Sequence, residues 1–407
     1  MEDNTRFDHR NGAASAPQNG GGADETAEKR SAGGKMALFY AAAAALALIV
    51  LFGVFTLLGR DKPYSEDENR YLAGAPKLTF SSLADGKFME NTESWLSDQF
   101  FLRSLWVKTK TKTDLFFGKR EINGVYIGRD HFLFEKPTPL NEAGAAATVS
   151  AINAFTAAHP VLRSYFALAP NATEILPELL PANAPSEDQT EQIGRVYASL
   201  DPRTAAVDLC TPLKSYADRK ALYYRTDHHW TTAAASVACG QIAAAMALDT
   251  SATPYVSYPV SNTFRGTMAS SAGLFNATDN IYITVPAGES PYVVTYVDEN
   301  KKSVGAFDLA KLDEKNQYEV FFGGNYSLLR IDTALRAGRV LMVVKDSYAN
   351  CLLPMLTPFF KTIVVVDPRY FTGNIENVVA AEGVTDVLWM YNVNTFLADT
   401  SVAKVFG

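Results

Sequence analysis

The chain has 407 residues, 47% of them hydrophobic, which is enough apolar surface for one large domain or two ordinary ones. A formal charge of -7 argues against nucleic-acid binding, because phosphate recognition needs clustered Lys and Arg. Cys210, Cys239 and Cys351 form no CxxC pair, so neither a structural zinc site nor a thioredoxin-like motif is expected; a Cys210–Cys239 disulfide stays open beside three buried thiols.

Residues 1–35 are rich in Gly, Ala, Asn and charge and have little to bury, which predicts a disordered tail. Met36 to Leu58 carries no charge. At about 1.5 Å per residue it is long enough to cross a hydrocarbon core of about 30 Å. Lys29, Arg30 and Lys35 precede it and Arg60 and Lys62 follow, a bias toward a cytoplasmic N-terminus. The expectation is a single-pass anchor over 36–59 with the rest of the chain outside the membrane. The rival is a cleaved signal peptide, for which the run is long and no clear A-x-A site follows.

Residues 60–140 form an acidic, aromatic-rich lead-in expected to pack on a main domain of residues 141–407. Phe88 to Lys112 reads as one amphipathic helix with Phe88, Trp95, Phe100, Leu102, Leu105 and Trp106 available to pack. Glu121 to Phe134 reads as a hairpin around a glycine-containing turn. Helices are then predicted at Glu142–His159, Glu187–Leu200 and Thr232–Ala247, with a strand at Arg163–Ala169. A β-leaning stretch at 253–335 leads to strands at Val340–Val344, Thr362–Val366 and Val384–Met390, with a short helix at Asn350–Phe359. Continuous apolar strands separated by helices predict an α/β fold with a mainly parallel sheet covered on both faces.

Two segments carry chemistry. In Thr226-Asp227-His228-His229-Trp230-Thr231 an acid, two imidazoles and an indole stand together in a chain with five histidines. If that segment is extended, Asp227 and His229 share one side and His228 points the other way. Trp230 would wall the site or pack beneath it. Asp346-Ser347-Tyr348 follows an apolar strand, which puts Ser347 at the carboxyl edge of the sheet, where open α/β folds place their sites. Backbone N–H groups at the start of the helix expected to follow, near Tyr348, are candidates for stabilising an oxyanion, with the helix dipole assisting. Asp227, His229 and Ser347 would together form an acyl-transfer relay. Three rivals stand beside it: Ser347 as a helix cap, Asp227 as the cap of a helix running through Trp230, and Asp227, His228 and His229 as metal ligands.

The TDHHWT run resembles the signature of the bacterial DHHW protein family and the TD-x-HW-T motif of AlgX/AlgJ-type alginate O-acetyltransferases. Glu68-Asn69-Arg70-Tyr71-Leu72, Asp98-Gln99-Phe100, Asn123-Gly124-Val125-Tyr126, Phe264-Arg265-Gly266, Gly323-Gly324-Asn325-Tyr326 and Lys345-Asp346-Ser347-Tyr348 add weaker matches. The resemblance implies an SGNH-hydrolase-like fold in which acid and base precede the nucleophile: Asp227, His229 and Ser347. Lys345 stands where many such sites have glycine, and Asn325 is a candidate polar group facing the substrate. It further implies an O-acetyltransferase or acetylesterase acting on a cell-surface polysaccharide. No tightly bound cofactor is expected, and the acyl group would come from a multi-pass membrane O-acyltransferase partner. The competing class is a glycan-binding or envelope-assembly protein without chemistry.

Overall fold

The structure is a computed structural model that describes residues 22–137, 140–274, 276–288 and 291–407. Its first element is a helix, Gly22–Leu58. Residues 22–35 are therefore helical where a tail was expected, since Ala, Glu and Lys continue a helix once the apolar run has nucleated it. Residues 1–21 of that predicted tail lie outside the described residues. Lys35–Leu58, with mean hydropathy 2.6, is long and apolar enough to span a membrane, a property that a signal sequence shares.

The chain divides into two compact units, one holding this helix with Leu72–Arg103, the other Tyr64–Tyr71 with Ser104–Gly407. The division falls at residue 103, and the chain from Ser104 onward belongs to the larger unit. Within the first unit, the Phe101 N–H donates to Thr56 Oγ1 at 3.0 Å and the Phe55 and Phe101 rings stack at 4.9 Å. The amphipathic segment is two helices, Lys87–Asp98 and Arg103–Phe116. Leu102 between them has a φ of +58°, a left-handed conformation that no continuous helix admits. Leu102, Leu105 and Trp106 remain exposed.

The main unit is organised by an eight-stranded sheet. Its strands in chain order are β1 (Arg163–Ala169), β2 (Thr204–Val207), β3 (Tyr292–Tyr296), β4 (Lys301–Val304), β5 (Leu328–Thr333), β6 (Val340–Lys345), β7 (Thr362–Val366) and β8 (Asp386–Asn392). The spatial order is β4-β3-β5-β7-β6-β8-β1-β2. The five strands from β7 to β2 are parallel, and β5, β3 and β4 extend them antiparallel. Burial follows this division. β6, β7 and β8 are buried at every residue, as parallel strands covered on both faces must be, whereas β5 alternates between buried and half-exposed.

Alternate side chains feed two cores. Tyr165, Leu341, Val343, Ile363 and Met390 pack with the alanine-rich face of helix Thr232–Ala245. Phe166, Met342, Val344, Val364 and Trp389 pack with helices Glu142–Ala158, Gln189–Ala198 and Ser401–Phe406. The expected hairpin near 121–134 is a three-stranded meander, Glu121–Ile122, Val125–Ile127 and Leu133–Glu135. The helix expected at 350–359 shrinks to Leu353–Leu356 after a 3-10 turn, Ser347–Cys351. All three cysteines are free and buried, with no disulfide among the described residues.

Trp389 is fully buried against Phe155 and Phe406. Trp389→Ala is expected to cost about 4 kcal/mol through lost transfer energy and the cavity left behind. An equilibrium denaturant titration checks this, and a shift under about 1.5 kcal/mol would mean that this core collapses around the gap.

Candidate active site

Where β6 ends, the chain turns at once. Asp346 accepts the Tyr348 N–H at 2.9 Å through one carboxylate oxygen and the Asn392 N–H, from the end of β8, at 2.9 Å through the other. Asp346 is therefore the cap of the Ser347–Cys351 turn, and the Ser347 hydroxyl is left for a partner elsewhere.

That partner comes from residues 223–230, which are a series of bends closed by a bridge between Tyr223 and Trp230. Thr226 donates its N–H and hydroxyl to Asp279 Oδ2 at 2.8 and 2.6 Å, and Arg225 N–H donates to Asp279 Oδ1 at 2.9 Å. Thr231, whose hydroxyl accepts the Ala233 N–H, caps helix Thr232–Ala245. Asp227 is thus released from the capping role that one reading of the sequence assigned it.

His229 Nδ1 lies 2.6 Å from Asp227 Oδ1, and His229 Nε2 lies 2.8 Å from Ser347 Oγ. The Asp227 carboxylate, 2% exposed, also accepts the His229 N–H at 3.0 Å, and its second oxygen accepts the Thr267 N–H at 2.8 Å and the Thr267 hydroxyl at 3.1 Å. Burial works against its ionised form, but the two imidazoles and these donors prevail and hold its pKa well below the usual carboxylate range. Burial also pushes His229 down, to about 4, with His228 adding to the fall and Asp227 opposing it. At neutral pH the ring is uncharged and its Nε2 can take a proton from an alcohol.

His228 does not point away as an extended segment would require. Its ring lies 3.9 Å from that of His229 and its Nδ1 is 2.9 Å from Thr267 Oγ1. Strand alternation fails because the segment bends at every residue. Asp227, His228 and His229 bring their ligand atoms within 4.8 Å of one another, close enough to share an ion. Both His229 nitrogens are engaged, however, in the relay that a cation would have to break.

Trp230, expected to wall the site or pack beneath it, lies beneath it, and Tyr348, a candidate for contact with substrate or oxyanion, is likewise a buried tie. Trp230 Nε1–H donates to the Tyr348 carbonyl at 2.9 Å, and the Tyr348 hydroxyl donates to the His228 carbonyl. These crossed bonds lock the histidine loop to the serine turn, and the Tyr348 N–H is already spent on Asp346. Asn325 is exposed, with its carbonyl oxygen accepting from Lys345 Nζ at 2.9 Å and from Asn350 Nδ2 at 3.0 Å.

Sequence reasoning missed Tyr318, Thr267 and Asp279. The Tyr318 ring stacks on His229 with centroids 3.8 Å apart, and its hydroxyl donates to the Ser347 carbonyl at 3.2 Å. None of the three sits in a patterned segment, and only Thr267, one residue beyond Phe264-Arg265-Gly266, stood beside a flagged motif. A cleft of about 910 Å³ is lined by Tyr64, Tyr71, Arg265, Lys315 and Gln317. Its lining segments run directly into Thr267 and Tyr318, which hold the acid and cover the base. Burial pushes the Cys210 and Cys239 thiols up to about 11 and Cys351 up to about 12, so none is a thiolate nucleophile at neutral pH.

A serine, an imidazole and a buried carboxylate hydrogen-bonded in line at the carboxyl edge of a parallel sheet, on this topology, place the protein in the SGNH-hydrolase-like class. Residues 125–327 match the family described as the SGNH hydrolase-like domain of acetyltransferase AlgX. The match includes Asp227, His229 and Asn325 and ends before Ser347. The probable alginate O-acetylase AlgJ of Pseudomonas syringae pv. tomato is 24% identical over 175 residues, 41% of this chain. The alignment spans 44% of that relative, under half its length. A DHHW family protein from Eubacterium siraeum shares the fold at 22% identity, with a TM-score of 0.58 over 70% of this chain and 96% of its own. Bacillus cereus PatB1, solved with a sulfonyl adduct, does so at 17% identity, with a TM-score of 0.59 over 70% of this chain and 98% of its own.

A Cβ on Gly266 would stand 2.2 Å from Asp227 Cβ and 2.3 Å from its Oδ2. The backbone there, at φ -78°, suits any residue, so the demand for glycine is one of space. Gly266→Ala is expected to push Asp227 off His229. Proton NMR checks this: the far-downfield resonance of an imidazole N–H bonded to a carboxylate should vanish in the variant, and its persistence would show that Asp227 stays in place.

Proposed function

We propose that this protein is a membrane-anchored, extracytoplasmic O-acetyltransferase that modifies a cell-surface polysaccharide through an acyl-enzyme on Ser347. The observation that carries the reading is the Ser347–His229–Asp227 relay, with hydrogen-bond distances of 2.8 and 2.6 Å. The kinship with an alginate O-acetylase and the AlgX domain family supports acetyl transfer to a glycan. The Lys35–Leu58 helix supports an anchor.

In the first half-reaction Ser347 Oγ attacks the acyl carbonyl while His229 Nε2 takes the hydroxyl proton. The tetrahedral oxyanion collapses, and the leaving group departs with that proton. Asp227 keeps the imidazole in the Nδ1–H tautomer and stabilises the imidazolium that forms. In the second half-reaction a sugar hydroxyl gives its proton to His229 and attacks the Ser347 ester, and the proton returns to Ser347 Oγ as the acetylated sugar leaves. Asn325 supplies an amide donor to the oxyanion. The cleft bearing Tyr64 and Tyr71 receives the glycan, since aromatic faces flanked by amides and guanidinium suit sugar rings. The donor acyl group arrives from a multi-pass membrane O-acyltransferase, and water in place of the sugar would make the reaction an esterase.

Ser347→Ala is expected to fold and to lose about 10³-fold or more in kcat for hydrolysis of a chromogenic acetyl ester. Near-normal turnover would remove Ser347 from the mechanism.

Because the neutral imidazole is the active form and its pKa lies at about 4, kcat/KM should stay level from pH 7 to 5 and fall only below that. A pH–rate profile with circular dichroism as the folding control tests the sign. An acid limb centred near the free imidazole value of about 6.5 would contradict the burial argument.

A further inference from the structure

Lys345 is the anomaly that the functional reading leaves unexplained: a lysine two residues before the serine, where sites of this kind commonly carry glycine, with only 1% of its side chain exposed. Burying an ammonium is costly unless it is paired and hydrogen-bonded. β6 and β7 run parallel with Val344 opposite Val366, so the next residues, Lys345 and Asp367, meet at the carboxyl edge of the sheet. Lys345 Nζ lies 3.3 Å from Asp367 Oδ2. Asp367, itself fully buried, is gripped by Arg369 through Nε at 2.8 Å and Nη2 at 2.7 Å. The ammonium then makes one further bond, to Asn325 Oδ1 at 2.9 Å.

That bond settles which way the amide faces. Asn325 Oδ1 takes a second hydrogen bond from Asn350 Nδ2, and Asn350 belongs to the same turn as Ser347. An amide carbonyl held by two donors leaves its NH₂ to face the opposite way. The turn that delivers Asn325 depends on Gly323 and Gly324, at φ +78° and +132°, so backbone and side chain are both specified.

We infer that Lys345 is a positioning residue: braced by Asp367 and Arg369, it captures the Asn325 carbonyl and thereby aims the Asn325 NH₂ at the oxyanion formed on Ser347. The inference rests on the acyl-enzyme reading above. Lysine suits the task because a carbonyl oxygen is the only end of an amide that an ammonium can bond. The flipped amide would set two donors against each other and present an acceptor to a developing negative charge.

The test uses the full-length chain in detergent, hydrolysing 4-nitrophenyl acetate, with kcat and KM measured separately. Lys345→Met, close to lysine in length, is expected to lower kcat by about 10²-fold, the scale of one oxyanion donor, with KM within about twofold of wild type. Asn325→Ala should show the same split, and the double variant should be no worse than Asn325→Ala alone, because a misaimed amide and an absent one are equivalent. Wild-type kcat in Lys345→Met, or losses that multiply in the double variant, would overturn the inference. Should Lys345→Met not fold, Asn325→Asp decides: it keeps both acceptor contacts but loses the amide donor. Its kcat should fall to that of Asn325→Ala or below, because a carboxylate oxygen then faces the developing charge, and wild-type kcat would overturn the inference. Ser347→Ala measured in parallel separates the two levels. Activity surviving there defeats the acyl-enzyme reading, whereas its loss beside an unimpaired Lys345→Met defeats only the role of Lys345.

Discussion

Burying the Asp227 carboxylate is the constraint around which the site is organised. A charge removed from water must be met by donors or it neutralises itself. Here it is met by the His229 N–H and ring, and by the backbone and hydroxyl of Thr267. Each donor has a further support. Gly266 leaves the carboxylate its room, Asp279 clamps Thr226 just before it, and Thr231 starts the next helix so that the loop ends where it must. The imidazole that satisfies Asp227 is thereby fixed in tautomer and direction, with its other nitrogen on Ser347.

The second constraint is joining two segments far apart in the chain. Ser347 is placed by the parallel sheet, at the end of a fully buried strand whose turn is capped by Asp346 and stitched to β8. His229 is placed by a loop with no regular secondary structure. The crossed hydrogen bonds between Trp230 and Tyr348 and between Tyr348 and His228, together with Tyr318 lying over the imidazole, hold one against the other. Trp230 and Tyr348 thus act as ties beneath the site. Buried polar bonds of this kind are costly to leave half-made, which favours one arrangement over its neighbours.

Legibility in the sequence tracked how local each determinant is. β1, β6 and β7 were readable almost to the residue, because short, largely apolar runs bounded by helices have few other folds open to them. The antiparallel strands β3, β4 and β5 blurred into one β-leaning stretch, since their half-exposed pattern mixes polar with apolar residues. The amphipathic segment read as a single helix because Leu102 gives no composition signal for a left-handed residue. His228 was misplaced because a strand's alternation was assumed for a segment that bends.

From the sequence alone came the apolar N-terminal run, the α/β class and the selection of Asp227, His229 and Ser347 as side chains that meet, because each is announced by hydrophobic pattern or by an unusual local cluster. Only the tertiary structure decided that Ser347 faces His229, that Asp346 and Thr231 are the caps, and that Tyr318, Thr267, Asp279 and Lys345 support the site. These are contacts between residues tens to more than a hundred positions apart or choices between neighbouring oxygens. Such contacts are set by sheet register and by the need to satisfy buried charge, and neither leaves a periodic trace along the chain.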